Sequence, residues 1–129
     1  MTFDEFDELF DKLFEECKKM RDTKGKEYAM DKDRLANFKE IAEANGITAL
    51  QVCNVYLTKH TRAINSFCRN NKTFSNETFK SRIIDCITYC ALMYAIFLED
   101  LETRKYFDED EGEVKDDEKY GRFIRNLDN

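Results

Sequence analysis

Asp85 and His60 are the two residues whose types break their surroundings, and both could do chemistry. Asp85 lies inside Ile83-Ile84-Asp85-Cys86-Ile87-Thr88-Tyr89-Cys90-Ala91-Leu92. A carboxylate among so many apolar neighbours costs several kcal/mol unless it has a cation, a metal or water beside it. On a helix, Arg82 at i−3 and Tyr89 at i+4 share its side. The sequence therefore offers either a structural pair with Arg82 or a carboxylate facing a ligand. His60, the single histidine, sits between Leu57 and Ile64 with Lys59 and Arg62 at its flanks. It is either a hydrogen-bonded core residue or, with Lys59, the edge of a pocket that meets a phosphate or a base. Cys53 is two helical turns away, too far to form a Cys–His pair within one helix.

A second constellation precedes these. Lys24, Lys26 and Arg34 place cations around the start of a predicted helix, where outward N–H groups can hold phosphate. Tyr28 or Phe38 could stack on a base, and Asn37 offers polar contacts. The segment lacks the glycines and Lys-Ser/Thr ending of a phosphate-binding P-loop. No metal-ligand set is assigned. A helix-one acid such as Glu15 or Glu16 facing Asp85 would form an oxygen site for Mg²⁺, which an enzyme reading would need. Thr2 to Glu16 carry acids at helical spacing, as expected of a solvated face.

Helices must position these residues. The chain has 129 residues, no Pro and four Gly, too few turn formers for a sandwich or barrel. The spacing predicts an all-α bundle of about four helices. The first covers residues 3–21, with Phe3, Phe6, Phe10, Leu13, Cys17 and Met20 as its apolar stripe. Thr2 and Glu5 read as its capping box. Residues 22–32 read as a loop around Gly25. A short helix follows over residues 33–44, stopped by Asn45-Gly46. The third, capped by Thr48, reaches Asn70. The fourth starts at Ser75 or Asn76 and runs to Lys105, apolar on so much of its surface that it is central or faces another copy.

Residues 1–106 hold 17 Lys+Arg and 18 Asp+Glu, whereas residues 107–129 hold 4 and 9. The bundle domain, 1–106, is thus nearly neutral and the tail, 107–129, acidic. Charge argues against duplex nucleic acid as a partner. Within the tail, Tyr120, Phe123, Ile124 and Leu127 could form a short amphipathic helix. The five cysteines, odd in number and without a CxxC pair, read as small buried hydrophobes in a reducing, cytoplasmic setting. The run over residues 83–98 is too short to span a bilayer, so no membrane partner is expected.

In order, Lys24-Gly25-Lys26-Glu27-Tyr28, Asp33-Arg34-Leu35-Ala36-Asn37-Phe38, Lys59-His60, Arg82-Ile83-Ile84-Asp85 and Tyr89 resemble the phage-associated nucleotide modification associated domain 1 proteins. More loosely, the pattern is similar to the all-α MazG-type nucleoside triphosphate pyrophosphatases. The resemblance covers residues 5–100. It implies an oligomeric helical bundle in the host cytoplasm, binding a nucleotide. Lys24, Lys26, Arg34, Lys59 and Arg82 would meet phosphates; Asp85, His60, Asn37 and Tyr89 would complete the pocket. The pyrophosphatases hold Mg²⁺ through ExxE and ExxD. Here Arg82 stands three before Asp85, where Glu would be needed, so binding without catalysis is the leading expectation. The alternatives are a Mg-dependent pyrophosphohydrolase, a counter-defence protein sequestering a cyclic nucleotide, and an interaction module or DNA mimic using the acidic tail.

Overall fold

The computed structural model describes residues 1–28, 33–72 and 75–107, with residues 22–28 and 104–107 described by backbone alone. It is all-α: α1 spans Phe3–Tyr28, α2 Ala36–Asn45, α3 Ala49–Asn70 and α4 Phe79–Phe107, with no strand among the described residues. The expected acidic tail and its Tyr120–Leu127 pattern lie outside the described residues.

Local chemistry sets most of the helix ends. The Glu5 carboxylate accepts from Thr2 N at 2.6 Å and Thr2 Oγ1 accepts from Glu5 N at 3.2 Å, the capping box expected for α1. Thr48 and Gln51 repeat the device at α3. Gly46 ends α2 with φ 64°, and the amides of Gly46 and Ile47 return to the carbonyls of Glu43 and Ala42. A left-handed residue there is what glycine permits. Asn71 closes α3 in the same way, at φ 53°.

Three expectations are corrected. α1 does not stop at Arg21 but continues through Gly25 to Tyr28. One glycine costs a helix about 1 kcal/mol, and the Lys and Glu residues around it are good helix formers. α4 begins at Phe79, not at Ser75 or Asn76, because Thr78 Oγ1 takes the Ser81 amide at 3.1 Å. Of the cysteines only Cys53 is fully buried, while Cys68 and Cys90 are exposed.

The chain divides into two compact units, Met1–Tyr94 and Ala95–Asn129. In the first, Leu35, Phe38, Ala42, Val52, Cys53 and Ile84 are buried. Aromatic rings tie three helices together there. Phe38 of α2 meets Tyr56 of α3 and Tyr89 of α4 edge-on, with centroids 6.2 and 6.4 Å apart. Tyr56 and Tyr89 stack in parallel at 5.7 Å. Farther along, Phe67 of α3 stacks on Phe79 of α4 at 4.4 Å. In the second unit, Ile96 is buried.

The segment Phe79–Thr103 of α4, which contains an 18-residue stretch of mean hydropathy 1.5, is by length and composition long and apolar enough to cross a membrane. The helix is longer than the apolar run over residues 83–98, which Asp85 interrupts, and this corrects the expectation of a segment too short to span. The core helix of a soluble protein passes the same test.

Candidate functional site

His60 on α3 and Asp85 on α4 face each other across the helix pair, although 25 positions separate them. Both are buried. Asp85 Oδ2 lies 3.4 Å from His60 Nδ1. Tyr89, one turn after Asp85, stacks on the imidazole at 5.3 Å. The Cys53 thiol donates to the Tyr89 carbonyl at 3.6 Å, so α3 and α4 are also pinned through backbone.

Arg82 joins this buried pair to the surface. Its Nη1 lies 3.2 Å from His60 Nδ1 and 2.5 Å from Glu77 Oε2. Its Nη2 donates to Ser75 Oγ at 3.3 Å. The pairing anticipated from spacing, Arg82 with Asp85 one turn on, gives way to one with Glu77 in the segment before α4. A guanidinium only donates. Its contact casts Nδ1 as an acceptor, whereas the Asp85 carboxylate, which accepts, faces the same nitrogen from the other helix.

The electrostatics agree with a neutral ring. Burial pushes the His60 pKa below its ordinary value. Asp85 and Glu77 pull it up, while Arg82 and Lys59 push it down. Burial wins because proton uptake would put a third positive charge beside Arg82 and Lys59 in a poorly hydrated place.

Arg82 also lines a cavity of about 210 Å³ at the junction of α3 and α4, with Ala63, Ser66, Phe67, Lys72, Ser75, Glu77 and Phe79. One wall is the Phe67–Phe79 stack. The opposite chemistry comes from two cations and two hydroxyls. The Arg82 side chain is 12% exposed, so its charge is held at the cavity and not spread into bulk water.

His60, Glu77 and Asp85 each offer a ligand atom, all within 4.8 Å of one another. One nitrogen and two carboxylates suit a borderline divalent ion. Arg82 Nη1 reaches two of these three groups, so the guanidinium supplies the positive charge among them. A metal ion would have to displace it.

The structure brings together five of the residues singled out by sequence: Phe38, His60, Arg82, Asp85 and Tyr89. Phe38 is buried against two tyrosines, which corrects its assignment as a stacking platform for a base. Lys59, Arg34 and Asn37 are exposed. The side chains of Lys24, Lys26 and Tyr28 lie outside the described residues. The phosphate cradle expected at the start of α2 is filled from within. Asp33 Oδ1 accepts from Leu35 N and its carboxylate pairs with Lys39, which holds the Asp33 carboxyl below its usual range. The amides of Ala36, Phe38 and Lys39 go to backbone carbonyls. Of the helix-one acids, Glu16 binds Lys80 at 2.5 Å and Glu15 binds Lys18 at 2.8 Å. The acid that joins Asp85 in the cluster is Glu77.

Sequence reasoning missed Glu77, Tyr56, Ser66, Lys72 and Ser75. A signal existed for some of them. Asn70-Asn71-Lys72 marks a turn directly before the helix that carries Arg82 and Asp85, and turns between functional helices carry ligand contacts. Comparison with family models, curated proteins and solved structures finds no match for this chain.

Proposed function

We propose that this protein binds a phosphate-bearing small molecule, a nucleotide or cyclic nucleotide, in the cavity between α3 and α4. The observation that carries the reading is Arg82, held at the wall of a cavity that Lys72, Ser66, Ser75 and the Phe67–Phe79 stack also line. Planar, forked guanidinium donors suit phosphate oxygens. The cavity is smaller than the roughly 300–1,000 Å³ of pockets that enclose a drug-sized ligand. It accepts a phosphoryl group and its nearest neighbours, and the rest of the molecule lies outward along Phe67 and Phe79. His60 and Asp85 act behind Arg82 as positioning residues. The setting is cytoplasmic, with Arg82 and Asp85 of α4 tied into polar contacts with their surroundings.

The test is a thermal-shift panel of nucleoside mono- and triphosphates and cyclic dinucleotides. A ligand at about a hundred times its dissociation constant adds about 2.7 kcal/mol, several degrees of melting temperature. Arg82→Met and Lys72→Ala, each checked for helical content, should abolish the shift. Full retention by both variants overturns the reading.

The convergence of His60, Glu77 and Asp85 favours a second reading, cation-dependent hydrolysis of the same ligand. It requires release of pyrophosphate from a triphosphate with Mg²⁺ or Mn²⁺ present. Recovery of intact ligand throughout the panel removes it.

A further inference from the structure

Residues 44–76 contain no Asp or Glu, although the chain has 27 acids in 129 residues. The same stretch holds four bases, Lys59, Arg62, Arg69 and Lys72. The near-neutral balance of the bundle is therefore an average over an acid-free segment and its acidic neighbours. α3 lies inside that segment, with no acid in its first turn and Arg69 in its last. Steps of three, four and three residues carry Lys59, Arg62, Ser66 and Arg69, so the four share one side of the helix. Lys59, Arg62 and Arg69 are exposed, and none of them pairs with a carboxylate among the described residues.

We infer that this side of α3 is the track of a single-stranded nucleic acid, whose sugar–phosphate backbone runs along Lys59, Arg62 and Arg69 and enters the cavity at Arg82. The inference rests on the reading that the cavity holds a phosphate, and it makes the ligand a strand and not a lone nucleotide. Ser66 joins the two places: it stands on the stripe between Arg62 and Arg69, and it lines the cavity. Lys72, two residues past the end of α3, lines the cavity as well. From Lys59 to Arg69 the stripe is about 15 Å long at 1.5 Å per residue. A stacked strand carries one phosphate about every 3.4 Å, so about four fit over that length.

The arrangement favours one strand over other polyanions. The cations of α3 stand in single file, which suits one backbone, whereas a duplex presents two. The half-buried Phe67–Phe79 stack lines the cavity at the end of the stripe and offers an unpaired base a ring to lie on. In a duplex the bases are already stacked on one another, and an acidic peptide has no base to place there. Acids resume on either side of the segment, at Glu43 and Glu77. The attraction for phosphates is thus confined to the stripe and the mouth of the cavity.

The test is fluorescence anisotropy of the full chain with eight-nucleotide oligothymidylate and oligouridylate, with thymidine monophosphate as competitor and over a salt series. Either strand should bind about tenfold or more tighter than the mononucleotide, and the tighter of the two names the sugar. Contacts from Lys59, Arg62, Arg69, Lys72 and Arg82 predict a slope of log affinity on log salt of about −3.5, roughly a 100-fold loss from 50 to 200 mM salt. Arg62→Gln with Arg69→Gln, checked for helical content, should reduce that loss to about 20-fold and leave the mononucleotide unaffected. If that variant does not fold, the slope of the parent still decides. A slope of about −1.4, that of Lys72 and Arg82 alone, overturns the inference and leaves the phosphate reading standing. So does tighter binding of a duplex or of a glutamate-rich peptide than of both strands. Arg82→Met separates the two claims. Loss of mononucleotide and strand alike supports both, whereas a strand that keeps its full affinity removes the cavity reading and the inference with it.

Discussion

Two phenylalanines in the same compact unit have opposite fates. Phe38 is 4% exposed and lays its edge on rings from two other helices; Phe10 is 47% exposed, and its ring contacts are with Phe6 and Phe14 of its own helix. The α2–α3–α4 region spends its aromatic residues on joining helices. The α1 region lines them up on a surface. A stripe with helical period thus says that a face is apolar, not that the same chain covers it.

Truncation separates the two regions most sharply. Phe38→Ala should cost about 3–5 kcal/mol, since a buried ring leaves a cavity behind. Phe10→Ala should cost under about 1 kcal/mol, because water already reaches half of that ring. Chemical denaturation of both variants checks the contrast, and similar losses would erase it.

The next effect belongs to the polar part of the buried region. Arg82→Met should lower stability by about 1–3 kcal/mol by removing the guanidinium that joins His60, Glu77 and Ser75. Glu77→Gln should cost less, because that carboxylate is half exposed and water takes over. Equal losses would mean the Arg82–Glu77 pair acts as one unit.

Gly46→Ala should cost about 1–2 kcal/mol through its positive φ alone, because nothing lies within 4 Å of an added Cβ. A larger loss would reveal crowding at the α2–α3 corner.

The smallest effect is a pH slope. The folded pKa of His60 is lowered, so the unfolded chain binds more protons near and below the ordinary value of about 6.5. Stability from this group is present above that pH and is lost as pH falls toward the folded value. Melting temperature followed from pH 7.5 to 5 should fall less steeply in His60→Gln than in the parent.

Helix ends marked by a residue type were legible: Thr2 with Glu5, Thr48, and Gly46, whereas the return of Gln51 to Thr48 was not. The extension of α1 past Gly25 was not, because residues 22–28 carry few apolar side chains and so no period to read. The odd residues inside apolar stripes, His60 and Asp85, were found from sequence, but their meeting was not. Their contact depends on the crossing of α3 and α4, which no local spacing encodes. Arg82 was misdirected toward Asp85 for a related reason. The i, i+3 rule sees only the helix, whereas Glu77 reaches Arg82 from the turn before it.

Glu77 gives the proposed site a property of its own. Its carboxylate occupies the guanidinium that a phosphate would want, so the chain carries an internal competitor for its ligand. Binding is then an exchange of one anion for another, in which only the difference between them appears as affinity. In the proposed site a halide would offer Arg82 less than the tethered carboxylate does. A doubly charged phosphate with several oxygens would offer more, and a released Glu77, already half in water, would lose little by leaving.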